Sequence, residues 1–254
     1  MEFRFALAGD PVAHSLSPAM HHAALKESGL SGRYDLVRCD EADFRNLVRL
    51  LASGKYSGLN VTMPHKGLAH SLCGDLTPEA SAAASVNTMQ AEGSSISGHS
   101  SDVVAFRKAF AEVGQPTSAI LLGTGGSARA ALAGFDGEVH VWGRSPARID
   151  ELAGRYPGRV FRLHDAPPGA VLVNCTPLGM TGEELPSALL ESAEALIDLP
   201  YGHGETPAVS AARRAGIPVV DGYRFLAVQA TESFRWWTGV EVDIDTMVDA
   251  ARNG

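Results

Sequence analysis

What this 254-residue sequence has little of narrows the field before any motif is read. Its three cysteines, Cys39, Cys73 and Cys175, are scattered without the spacing of a metal site. That argues against a zinc centre and suits a reducing compartment, so a metal-free cytoplasmic protein is expected. Positive charge is in deficit: 21 lysines and arginines against 29 aspartates and glutamates leave a formal net charge of -8. Nucleic acid and anionic membrane are therefore not the expected partners, although a local basic pocket for a small anion is compatible with that balance. No apolar run approaches the length that spans a bilayer, and the opening MEFRFALAGDPV lacks the apolar core of a secretion signal.

What is present is an alternation of short strand-like runs and alanine-rich helical stretches. FALAGD, RYDLVRC, GLNVTM and SISGHS read as strands. PAMHHAALKESG, DFRNLVRLLASG and TPEASAAASV read as helices, with Gly29 and Gly54 as stops. A second set follows: SAILLG, EVHVWG, RVFRL, AVLVNC, ALIDL and IPVVDG. These nearly continuous apolar runs fit a parallel sheet covered on both faces. The expected fold class is α/β in two domains, residues 1–102 plus about 228–254 and residues 103–227, with the hinge near residue 103. The stretch FLAVQATESFRWWTG reads as a C-terminal helix returning to the first domain.

The second domain opens with ILLGTGGSARAAL. Gly123, Gly125 and Gly126 follow an apolar strand and precede a helix, with Ser127 and Ala128 in its first turn. Such small residues permit a tight turn and let a pyrophosphate approach the helix N-terminus, although a plain structural turn would also use them. At the end of the next strand, where an NAD site usually places an acidic residue, stand Gly143, Arg144 and Ser145, with Arg148 one helical turn on. Two guanidinium groups there suit the extra phosphate of NADP; a solvated arginine pair is the plainer alternative.

In HSLSPAM, Ser15 and Ser17 are two apart, so an extended backbone points both hydroxyls the same way. Ser17 before Pro18 also reads as a helix cap, which leaves Ser15 unexplained. With HSLSPAMH, GLNVTMPHK, SVNT, GHSSD, GTGGSARA, NCTPLGM, DLPYGHGETP and DGYRFLAVQA in order, the chain resembles the shikimate dehydrogenase family over essentially its whole length. The resemblance implies reversible reduction of 3-dehydroshikimate to shikimate with NADPH, with residues 1–102 plus 228–254 as the substrate-binding domain and 103–227 as a Rossmann-type NADP-binding domain. It implies that Ser15 and Ser17 hold the substrate carboxylate and that Asn60, Thr62 and Asn87 bind ring hydroxyls, with Tyr201 and Gln229 closing the site. Lys66 and Asp102 match the family's catalytic pair, and Thr176, Leu178, Met180 and Gly222 lie in its cofactor-contact segments.

A lysine so placed can give a proton to the developing alkoxide, or take one in reverse, while Asp102 orients its ammonium. Three departures from the family's pattern stand out. GHSSD places Ser100 and Ser101 where Asn-Thr is usual, Gly143 replaces an asparagine, and Arg224 and Phe225 replace a glycine and a methionine. The last two are expected to crowd the nicotinamide, so that exchanging them for Gly and Met would raise turnover. Quinate or an amino-substituted analogue is the alternative substrate, and a non-catalytic dinucleotide- and shikimate-binding protein the alternative class. A homodimer is compatible with the sequence.

Overall fold

The computed structural model describes residues 2–93, 95–202 and 204–254, and the alternation read above resolves there into two six-stranded sheets. They belong to two compact units, one built from residues through Ala105 together with Leu226–Gly254, the other from Phe106–Phe225.

The first unit runs β1 (Phe3–Gly9), α1 (Ser17–Glu27), β2 (Gly32–Arg38), α2 (Glu41–Ala52), β3 (Gly58–Val61), α3 (Lys66–Leu72), β4 (Asp75–Leu76), α4 (Pro78–Ala83), β5 (Thr88–Glu92), β6 (Ser95–His99) and into α5 (Ser101–Glu112). Its strand order is β2-β1-β3-β5-β6-β4, with β5 antiparallel to both neighbours and the remaining pairs parallel. In α2 the Asp40 side chain accepts the Asp43 N–H, and Phe44, Leu47, Val48 and Leu51 fall on one face. That face packs into a core with Ala6, Leu59 and Met89. Gly29 and Gly54 have φ of 67° and 77°, the left-handed geometry of a glycine stop. β4, β5 and α3 were not among the elements read from the sequence. β5 went unread because TMQAE carries no clear alternation, and α3 because KGLAHSL buries only Ala69.

The second unit continues with β7 (Ser118–Leu122), α6 (Gly126–Gly134), β8 (Glu138–Trp142), α7 (Pro146–Arg155), β9 (Val160–Arg162), β10 (Val171–Asn174), α8 (Ser187–Ser192), β11 (Ala195–Asp198), α9 (Pro207–Ala215) and β12 (Val219–Val220). All pairs are parallel in the order β12-β11-β10-β7-β8-β9, the doubly wound Rossmann arrangement. Its topological switch lies between β7 and β10, where ligands bind such sheets. Their C-terminal ends approach closely: a Cβ on Gly123 (φ 110°) would sit 3.2 Å from the Cys175 carbonyl oxygen.

The chain returns through α10 (Gly222–Thr238) and ends in α11 (Ile244–Asn253), two helices where one was expected. Trp237 fastens α10 to the first sheet: its ring stacks on Phe5 at 4.6 Å and its Nε1 donates to the Met89 carbonyl at 3.1 Å. Gly58 makes room for it, since a Cβ there would fall 2.4 Å from that nitrogen. Among the described residues, no helix is long and apolar enough to cross a membrane.

Candidate active site

Lys66 opens α3, and Asp102 lies in the first turn of α5. Lys66 Nζ donates to Asp102 Oδ2 at 2.6 Å, with the two side chains only 16% and 8% exposed. A pair so shielded is not a solvated surface charge. The lysine's segment is held from several sides. The Val86 N–H donates to the Lys66 carbonyl at 3.1 Å, and the Asp10 N–H donates to the Met63 carbonyl at 2.9 Å. Neighbouring His65 is buried, stacked on Phe44 at 4.9 Å with Nε2 2.9 Å from the Cys39 carbonyl.

Beside the pair lies a buried polar network that the sequence reading reached only in part. Asn87 Oδ1 accepts the Ser101 N–H at 2.9 Å, and Asn87 Nδ2 donates to Ser101 Oγ at 2.9 Å and to Gln229 Oε1 at 3.3 Å. Thr88, Ser233 and Tyr34 extend it. Asn60, expected to meet a ring hydroxyl, is engaged on both sides of its amide. Its Oδ1 accepts Tyr34 Oη at 2.8 Å, while Nδ2 serves the Asn87 carbonyl and Ser233 Oγ, both at 3.0 Å. Both hydrogens of its amide are therefore committed inside the protein, where they tie β3 to β5 and α10, and Oδ1 keeps a second lone pair. Thr62 differs: it is half-buried, and its hydroxyl has no hydrogen bond among the described residues.

Ser17 does not cap its helix. α1 begins at Ser17 itself, Leu16 occupies the cap position, and no side chain caps it. Instead the Ser17 N–H donates to Ser15 Oγ at 3.3 Å, and the two hydroxyls lie 3.1 Å apart. With capping removed as the explanation, paired hydroxyls at an uncapped helix start fit a carboxylate.

In the second unit the residues present fit a phosphate-bearing cofactor. Gly125 is the uncapped N-cap of α6, and a Cβ on it would meet nothing within 4 Å, so the backbone there stands open to a ligand. Gly126, Ser127 and Ala128 form the first turn. Arg144 and Arg148 are exposed, with no ion pair among the described residues, and so are free to meet a phosphate. Ser145 caps α7 by position, ahead of Pro146.

The NCTPLGM loop is held by groups that the motif alone did not single out. Asn174 Oδ1 accepts both the N–H and the hydroxyl of Thr176, and its Nδ2 donates to the Leu178 carbonyl and to Asp198 Oδ1. Burial pushes the Asp198 carboxyl up, opposed by hydrogen bonds from Thr206 and Asn174. Exposed Glu183 folds back so that the Gly179 and Thr181 N–H groups each donate to it at 3.1 Å, and the Thr181 hydroxyl at 2.5 Å. Those bonds pull its carboxyl down to about 2, the Thr181 hydroxyl contributing most. The signal for Glu183 was only its spacing from Gly179.

Other expected residues receive different roles. Met180 is 36% exposed at the end of this loop. Tyr201 is half-buried, its ring 6.2 Å from Tyr223, which donates to the Gly202 carbonyl. Gly222, expected at the cofactor, is explained by packing: a Cβ there would fall 2.4 Å from the Pro200 carbonyl oxygen. Phe225 is buried against Phe106 at 4.6 Å, and Arg224 is ion-paired with Glu112 at 3.4 Å. Both have partners within the second unit, an arrangement that speaks against their crowding a nicotinamide.

The known proteins that resemble this chain are consistent with one another. The shikimate dehydrogenase substrate binding domain matches residues 7–89, and the shikimate 5'-dehydrogenase C-terminal domain matches residues 222–252. A shikimate dehydrogenase (NADP(+)) of Thermus thermophilus is 36% identical over 258 residues, 98% of this chain and 97% of that protein. One from Halobacterium salinarum is 34% identical over 98% of each. The crystal structure of Thermus thermophilus shikimate 5-dehydrogenase in complex with NADP(H) and shikimate has a TM-score of 0.88 at 34% identity, covering 99% of both chains. A 5-ketofructose reductase from a Gluconobacter strain, only 21% identical, shares the fold with a TM-score of 0.87. Relatives 34% and 36% identical run the length of both units, and this chain belongs to the shikimate dehydrogenase family.

Proposed function

We propose that this protein catalyses the NADP-dependent, reversible reduction of 3-dehydroshikimate to shikimate. The observation that carries the reading is the shielded Lys66–Asp102 pair at 2.6 Å beside a network of hydrogen-bonding groups. When bound, NADPH supplies the hydride. The chain's own task is to orient the ring and manage one proton. Ser15 and Ser17 take the carboxylate, and Thr62 and Gln229 meet ring oxygens. As the ketone oxygen gains charge, Lys66 Nζ gives it a proton; in reverse, the neutral amine receives the hydroxyl proton. Asp102 accepts a hydrogen bond from Nζ throughout and so keeps it aimed. Arg144, supported by Arg148, meets the 2'-phosphate. A cytoplasmic homodimer completes the proposal.

The test is a turnover panel of shikimate, quinate and amino-substituted analogues, each with NADP and NAD, on the unmodified protein and on Lys66→Ala. Shikimate with NADP should be the best pair. Lys66→Ala should cost about a hundredfold or more in turnover while NADPH affinity is retained. Undiminished turnover in that variant would end the mechanism; shikimate and NADP bound without any turnover would make the protein a binding module.

A further inference from the structure

Three arginines on the second unit carry charge that the chain itself does not neutralise. Arg129 lies in α6, Arg155 ends α7, and Arg159 stands in the turn before β9. They gather around Tyr156. The Arg159 guanidinium lies 4.7 Å from the ring centre and that of Arg155 6.0 Å, while Arg129 interacts electrostatically with Arg155 and Tyr156. Arg129 and Arg155 make no hydrogen bond and no ion pair among the described residues. Arg159 uses one donor, giving Nη2 to the Leu132 carbonyl at 2.5 Å. The Nε atoms of Arg129 and Arg159 are fully buried without a partner. Glu151, whose charge reaches Arg129, forms an ion pair with none of the three. Burial first, and then the like charge of Arg155, hold the Arg129 pKa below its usual value. Buried donors without partners mark the place of a water or an ion. Water would satisfy the donors but leave the positive charges facing one another, whereas an anion meets both needs.

We infer that Arg129, Arg155 and Arg159 form an anion site for a phosphate or phosphate monoester, separate from Arg144 and Arg148. A tetrahedral dianion offers at least three oxygens to guanidinium forks arriving from different elements, where a carboxylate offers two. The Tyr156 face holds the Arg155 and Arg159 guanidiniums beside the site. Arg148 stands in the first turn of α7 and Arg155 in its last, about 10 Å apart along the axis at 1.5 Å per residue. The two anion sites therefore lie at opposite ends of that helix. A phosphate bound to Arg129 and Arg155 joins α6 to the end of α7, so its binding stabilises the second unit.

Calorimetry on the full chain saturated with NADP, which occupies Arg144 and Arg148, tests this at constant ionic strength. The titrants are inorganic phosphate and glycerol 3-phosphate. At least one should bind with a dissociation constant of about 1 mM or below, and the tighter of the two identifies the source of the phosphate. Arg129→Met and Arg155→Met should each weaken that binding by about tenfold or more. Thermal melts give a second reading with a change of sign. Without phosphate, Arg129→Met should melt a few degrees above its parent, because it removes a half-buried charge that has no partner; in saturating phosphate it should melt below. No binding of either titrant, equal binding by Arg129→Met and its parent, or displacement of the anion by NADP overturns the inference. If NADP itself does not bind, the cofactor reading fails, and the same comparison of Arg129→Met with its parent on the free protein decides the anion site.

Discussion

The fully buried His21 makes the first unit sensitive to mild acid. Its ring is stacked on Tyr34 at 4.3 Å and lies 5.5 Å from Trp237, and neither nitrogen has a hydrogen-bond partner among the described residues. Burial, with a smaller push from His22, lowers its pKa from 6.5 to about 3. Nearby Asn60 opposes this weakly, because its own amide is engaged. A group depressed on folding contributes stability that is present above its unfolded value near 6.5 and is lost as pH falls towards its folded value. The full shift at 1.36 kcal/mol per unit corresponds to about 5 kcal/mol, of which about 2 kcal/mol should be lost between pH 7 and pH 5. The low-lying Glu232, at about 2, titrates below this window. His21→Phe keeps a flat ring against Tyr34 and removes the titration. Urea unfolding at the two pH values, followed by the fluorescence of Trp236 and Trp237 in a Trp142→Phe background, should show the variant losing about 2 kcal/mol less than its parent. Every other histidine is common to both proteins and cancels in the difference. Equal losses would refute the claim that a buried neutral imidazole controls acid stability.

Three further outcomes are expected. Arg144→Ala should raise the Michaelis constant for NADP by about tenfold or more and that for NAD little, because a charged bidentate donor to the 2'-phosphate is removed; parallel changes in steady-state assays would deny the phosphate contact. Phe225→Met should leave shikimate turnover unimproved and cost about 1 kcal/mol of stability in denaturant melts, since it dismantles the ring contact with Phe106; faster turnover would restore the idea of a crowded nicotinamide. Glu183→Gln weakens the charge-assisted bonds that close the 179–183 loop, so the Michaelis constant for NADP should rise a few-fold with an unchanged melting temperature, and an unaltered constant would separate the loop from the cofactor.

Much of the fold was legible because its signals are local. Parallel strands in the second unit declare themselves as unbroken apolar runs, Gly29 and Gly54 mark helix ends through a backbone geometry that glycine adopts freely, and GTGGSARA needs only its own strand and helix for its meaning. By contrast β5 is stabilised by pairing on both edges rather than by its own pattern, and was invisible until its partners were in place.

The candidate site divides along the same line. Residue types and spacing in the sequence nominated the serine pair and the arginines, and resemblance to a family nominated Lys66 and Asp102, because a chemistry can be read from which groups are available. Which way each side chain faces was decided only by tertiary structure. Asn87 and Gln229 are 142 residues apart, and the orientation of one amide is set by the other and by a backbone N–H. Asn60 carries the same amide as Asn87 but is enclosed by Tyr34, the Asn87 carbonyl and Ser233, so it holds the scaffold. Phe225 occupies a motif position yet belongs to an aromatic core. A motif records which donors, acceptors and rings a chain possesses. Their commitment to core or ligand depends on partners brought close by folding, and local sequence holds no record of that distance.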